Sequence, residues 1–73
     1  MKIKHITEHG GGYFMADDNG EECGRMTYSN AGPDKFIIDH TEVRRARQGE
    51  GVGRKMVNAA VEFARGNDLK IIP

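Results

Sequence analysis

In Arg44-Arg45-Ala46-Arg47-Gln48-Gly49-Glu50-Gly51-Val52-Gly53-Arg54-Lys55 the hydrophobic period of the chain changes. Upstream of it, Lys35 to Val43 holds Phe36, Ile37, Ile38, Thr41 and Val43, a β-branched and aromatic run that reads as the strongest strand. Downstream, Val52, Met56, Ala59, Ala60, Phe63 and Ala64 recur at helical spacing, with Arg54, Lys55, Asn58, Glu62 and Arg65 largely on the other side. The spacing predicts a helix from about Gly51 to Arg65, stopped at Gly66-Asn67 by a glycine in the left-handed conformation. Leu69 to Ile72 then reads as a last strand. It follows a helix that follows a strand, so it should lie parallel to Lys35–Val43.

Further upstream, Tyr13 to Asp17 reads as a strand, Asp18-Asn19-Gly20 as a hairpin turn, and Glu22 to Ser29 as the return strand. Met15 and Met26 should face each other across that hairpin as core. Asn30-Ala31-Gly32-Pro33-Asp34 is a dense turn signal. Lys2 to Ile6 alternates only weakly, because Ile3 is out of phase with Ile6, and Gly10-Gly11-Gly12 looks like a soft spot behind it. The fold class expected is α+β: an antiparallel hairpin meander, then one strand–helix–strand unit, with the helix packed on a mixed sheet.

The 73 residues have room for one small domain, and 37% apolar content makes its core thin. No run approaches the roughly 18 apolar residues of a membrane span, and the N-terminus MKIKHITEHG has no apolar stretch of a secretory signal. The single cysteine, Cys23, forms neither an internal disulfide nor a cysteine-based zinc cage. A reduced, cytoplasmic setting without membrane partners is expected. Eleven basic and eleven acidic side chains cancel overall, but residues 44–55 carry five basic groups against Glu50 alone. The positive charge is concentrated there, and the function with it.

Three glycines in five residues, at a strand-to-helix junction, let the backbone approach a ligand, and the helix N-terminus behind them offers unpaired N–H groups. This is an anion site suited to a phosphate or pyrophosphate. Arg45, Arg47, Arg54 and Lys55 would add long-range attraction. Gly49-x-Gly51-x-Gly53 lacks the last glycine of a dinucleotide fingerprint, and no Gly-Lys-Ser/Thr stands at a P-loop position. Gln48-x-x-Gly51-x-Gly53 instead resembles the Q/R-x-x-G-x-G/A acetyl-CoA signature of the GNAT N-acetyltransferase superfamily. The wider pattern from Ile38 to Val43, followed by RRARQGEGVGRKMVNAAVEFARGNDLKIIP, is similar to its small, minimal members, over Tyr13 to Pro73.

That resemblance implies acetyl-CoA as the acetyl donor. It implies that the backbone of Gln48, Gly49, Glu50, Gly51, Val52 and Gly53 holds the pyrophosphate, with Arg54 beside it. Thr41 and Val43 would offer backbone groups to the pantetheine, and the thioester would lie where that strand and the next splay apart. By strand alternation Phe36, Ile38, His40 and Glu42 share one face, which ends polar just before the loop. His40 and Glu42 are therefore candidates for the base that takes a proton from the acceptor amine. Cys23 reads as a half-buried thiol far from the loop, Tyr28 as core that could donate a proton to a leaving thiolate, and His5 and His9 as lacking a third metal ligand.

Family members continue past the strand matching Leu69–Pro73, with a cysteine and a further helix. A single domain over residues 1–73, lacking that end, is expected to have a cleft toward the C-terminal end of Lys35–Val43 and a bare edge strand inviting a weak dimer. Three functions compete: an acetyl-CoA-dependent N-acetyltransferase acting on a small-molecule or protein amine, a non-catalytic CoA-binding module, and a nucleic-acid binder using the basic segment. The last gains nothing from the glycine spacing and lacks interleaved aromatics.

Overall fold

A computed structural model describes residues 1–73. Four strands form an antiparallel meander: β1 (Lys2–Glu8), β2 (Gly11–Asp18), β3 (Glu21–Asn30) and β4 (Lys35–Val43). A 3₁₀ turn (Arg45–Arg47), helix α1 (Val52–Gly66) and strand β5 (Lys70–Ile72) follow. The sheet order is β1-β2-β3-β4-β5, and only β4 and β5 run parallel. The expected α+β class and strand–helix–strand unit are borne out. So is the tight hairpin turn, where Asn19 and Gly20 take φ of 52° and 91°.

α1 covers one face of the sheet. Val52, Met56, Ala60 and Ala64, one turn apart, bury against Phe14, Ala16, Cys23, Met26, Tyr28 and Phe36. α1 runs antiparallel to β4, so its first turn lies beside Val43 and its last beside Phe36.

Several local expectations are corrected. In β1 the residue in phase with Ile3 is His5, which stacks on Phe14 at 4.2 Å between ring centroids, so an imidazole occupies an apolar position. Gly11 and Gly12 are not a soft spot but buried strand residues. A Cβ at Gly12 would lie 2.7 Å from the Tyr28 hydroxyl, so no larger residue fits under that ring. Met26 is paired with Phe14, and Met15 lies opposite Arg25 on the outer face. Left-handed backbone at the C-terminal end of α1 belongs to Asp68 (φ 53°) and not to Gly66.

Two bulges matter most. In β3, Ala16 pairs with Gly24 and Asp17 with Glu22, so Cys23 has no partner in β2 and both Cys23 and Gly24 are buried. In β4, Tyr28 pairs with Ile38 but Thr27 pairs with His40, so Asp39 is the extra residue. A single inserted residue reverses side-chain parity beyond it. Thr41 and Val43 therefore share the helix face with Met26 and Gly24, their partners. His40 and Glu42 turn to the outer face, opposite Thr27 and Arg25. The expectation that Phe36, Ile38, His40 and Glu42 share one face is overturned by this bulge.

Candidate functional site

Val43 leads into the 3₁₀ turn, whose residues are none of them buried, and then into Gln48-Gly49-Glu50-Gly51. Gly49 and Gly51 adopt φ of 89° and 76°, a region that residues with a Cβ enter at a cost, and Gly51 caps α1 from it. Of the loop amides, Gln48 N–H donates to Arg45 C=O at 3.3 Å and Glu50 N–H to Arg47 C=O at 3.4 Å. The N–H groups of Gly49, Gly51, Val52, Gly53 and Arg54 have no acceptor within the chain. The free donors are thus these five residues, and not the unbroken run Gln48 to Gly53. They sit where the helix dipole is positive.

The basic segment is less free than its sequence suggests. Arg44 pairs with Glu21 at 2.5 Å. Arg47 pairs with Asp18 (2.8 Å), Glu50 (2.9 Å) and Glu21 (3.2 Å). The Arg47 guanidinium holds the Asp18 carboxyl below the usual range, and those carboxylates in turn raise Arg47. Arg45, Arg54 and Lys55 have no carboxylate within ion-pair distance.

β5 pairs with β4 only through Lys35, Phe36 and Ile37. Beside the rest of β4 lies an apolar cleft of about 300 Å³, walled by Met26, Ile38, Thr41, Val57 and Ile71. Val57 is one turn along α1 from Gly53, so cleft and free amides adjoin. The β4 edge facing the cleft is polar. Arg44 N–H donates to Cys23 C=O, so Arg44, Glu42 and His40 aim their backbone groups at β3, and by alternation Thr41 and Val43 aim theirs at the open edge. Gln48 closes part of it, its Nε2 donating to Val43 C=O at 3.5 Å.

At the same end of β4 lies a polar recess of about 680 Å³, lined by residues of both faces, among them Arg25, Glu42, Thr41, Val43, Arg45 and Gln48. Thr41 lines both spaces. His40 Nε2 and a Glu42 carboxylate oxygen are 3.0 Å apart, with side chains 66% and 74% exposed. Arg25 stacks over Tyr13 and pairs with Glu22, holding that carboxyl below its usual range.

The remaining residues singled out in the sequence are placed as follows. Cys23 is fully buried, and its Sγ accepts from Arg47 Nη1 at 3.1 Å, so it touches the loop from which sequence distance seemed to separate it. Tyr28 hydroxyl and His5 Nε2 are 2.7 Å apart inside a cluster of Phe14, Phe36 and Phe63. Burial lowers His5 and raises Tyr28 from their ordinary values. No three His, Cys, Asp or Glu side chains converge as metal ligands. Sequence reading passed over Val57 and Glu21, and gave Asp18 only as a hairpin-turn residue.

A family model described as GCN5-related N-acetyl-transferase matches residues 12–73. No curated protein matches the chain. Among solved structures, it is similar to a ribosomal-protein-alanine N-acetyltransferase from Brucella melitensis biovar Abortus 2308, with TM-score 0.79 and 15% identity, over 89% of this chain and 51% of that one. An IAA acetyltransferase from Bacillus cereus ATCC 14579 gives TM-score 0.69 and 29% identity over 80% and 39%. The aminoglycoside N-acetyltransferase AAC(6')-Iy, in complex with CoA, gives TM-score 0.69 and 13% identity over 85% and 53%. The chain spans about half the length of these neighbours or less. No helix is long and apolar enough to cross a membrane.

Proposed function

This chain belongs to the GCN5-related N-acetyltransferase family, and from that premise we propose that it binds acetyl-CoA at the first turn of α1 and moves the acetyl group to a primary amine. The observation that carries the proposal is the row of five acceptor-free amides, Gly49 and Gly51 to Arg54, adjoining the apolar cleft. Oriented N–H donors at a helix N-terminus suit the pyrophosphate, and the backbone groups of Thr41 and Val43, turned away from β3, suit the amides of the pantetheine arm. Arg54, unpaired beside the donors, adds positive charge.

Acetyl-CoA supplies an activated thioester. The residues of this chain hold it and manage a proton. A primary amine is protonated at neutral pH, with a pKa of about 10.4 for a lysine-type group. The polar recess gives it a way in. Glu42 lines that recess, and its carboxylate takes the ammonium proton directly or through water, with His40 as its partner. The freed amine meets the β4 edge at Thr41, the residue common to recess and cleft.

The exposure of His40 and Glu42, outside the cleft, favours a second reading: a module that holds CoA and transfers nothing. One pair of measurements decides. Acetyl-CoA at about a hundred times its dissociation constant should add roughly 2.7 kcal/mol to the folded state, read as a rise in melting temperature. Amine-dependent CoA release should accompany it and fall about 10²–10⁴-fold in Glu42→Gln, with the melting shift kept. No melting shift removes the binding reading. A shift without CoA release above the hydrolysis blank supports the module.

A further inference from the structure

We propose that Arg47 is a positioning residue that holds the phosphate loop in its binding shape through the β2–β3 hairpin, and is not itself a phosphate ligand. The proposal rests on the acetyl-CoA reading above.

From Arg44 to Gly51 every residue is exposed except Arg47, and the next buried residue is Val52. The loop therefore has no apolar anchor of its own. Arg47 replaces one. Its side chain is 19% exposed, although it sits on an exposed turn. Nη2 donates to Asp18 Oδ2 at the end of β2, and Nη1 to Glu21 Oε1 and Cys23 Sγ in β3. Nε donates to Glu50 Oε1 within the loop. The guanidinium fork thus joins three segments and has its nitrogens engaged, which a planar five-donor group does and an ammonium cannot reproduce. The bulge that leaves Cys23 without a strand partner is what brings its sulfur to this fork.

The pair with Glu50 has a second effect. Glu50 lies between Gly49 and Gly51, whose free amides face the incoming anion. An unpaired carboxylate there would repel a pyrophosphate, and Arg47 both draws it aside and neutralises it. The like-charged Asp18 and Glu21 are covered by the same group.

Asp18→Asn separates the two roles of Arg47, because it removes the charge of one of the two hairpin carboxylates that hold the guanidinium and keeps the guanidinium itself. A positioning Arg47 predicts acetyl-CoA binding about threefold weaker in Asp18→Asn and about tenfold or more weaker in Arg47→Gln. It also predicts faster amide hydrogen exchange at Gln48 and Glu50, the loop amides bonded to Arg45 and Arg47 carbonyls, in ligand-free Asp18→Asn, with exchange in the β1–β2 hairpin unchanged. Arg47→Lys should restore less than half of the lost binding free energy. If Arg47 touches phosphate instead, Asp18→Asn loosens its tether and binding tightens, which overturns the proposal, as does unchanged exchange at Gln48 and Glu50. Should Arg47→Gln fail to fold, the Asp18→Asn arm decides alone. Should the wild-type protein bind no acetyl-CoA, the functional reading fails, and the exchange arm still tests Arg47 as the loop's anchor.

Discussion

The two ends of α1 are built on opposite terms. At its last turns, Phe63 closes on Phe14, Phe36 and His5, with Tyr28 behind them, in a layer of rings at centroid distances of 4.2 to 6.1 Å. There β4 is paired on both edges, to β3 and to β5. At its first turn, five amides lack acceptors, and the loop leading into it is held by an arginine and three carboxylates. Val52 and Met56 still bury at the first turns, but the aromatic burial is concentrated at the other end, while exposed polar geometry is kept where a ligand would supply the missing partners.

That division has measurable consequences. Phe36 is 1% exposed and touches Tyr28 and Phe63, so Phe36→Ala should cost about 3–5 kcal/mol. Domains of ordinary stability have only about 5–15 kcal/mol in total, so the unfolding midpoint in a denaturant titration should fall by a large fraction of its wild-type value. A midpoint close to wild type would show that the ring layer is not what holds the sheet to the helix. Val57, at the open end, should behave in the opposite way. It is 47% exposed and walls the apolar cleft. Val57→Glu should leave the melting temperature nearly unchanged and weaken acetyl-CoA binding about tenfold, the worth of roughly 1.4 kcal/mol. Equal losses of stability and affinity would mean that the two ends are not separable.

The same division governs what could be read from the sequence. α1 was legible because its apolar stripe is continuous, and β5 because the strand–helix–strand order leaves few arrangements. The loop was legible from glycine spacing. What failed depends on single-residue irregularities. Nothing in Ile38-Asp39-His40 announces a bulge, yet that one residue moves His40 and Glu42 to the outer face and gives Thr41 and Val43 the cleft side. A second bulge buries Cys23 and sets it against Arg47. The weak alternation in β1 had a cause that apolar counting cannot see, since His5 fills the core position through its ring face and satisfies its nitrogen on Tyr28. Charge counting likewise gave Arg47 to the ligand, because the acidic residues that hold it lie a hairpin away.

His5 supplies the finest test of the closed end. Its ring is packed on Phe14 and Phe63, with Tyr28 hydroxyl as its one polar partner, so desolvation lowers its pKa from 6.5. The unfolded chain then binds a proton more readily than the folded one. Stability is therefore whole above the unfolded value and declines as pH falls from there through the lowered folded value. The Asp18 and Glu22 carboxylates, held low by Arg47 and Arg25, lose their own contribution only as pH falls below their unfolded values of 3.8 and 4.5. Melting temperatures between about pH 7.5 and pH 5.5 thus isolate the imidazole from them. A modest fall is expected over that range, smaller than the effect of either substitution above. His5→Phe keeps the ring stack but cannot titrate, and it also strands the Tyr28 hydroxyl, so it should start from a lower melting temperature and show a flatter profile. A profile as steep as wild type in His5→Phe would remove His5 as its source, and would place the pH sensitivity of the fold outside the ring layer.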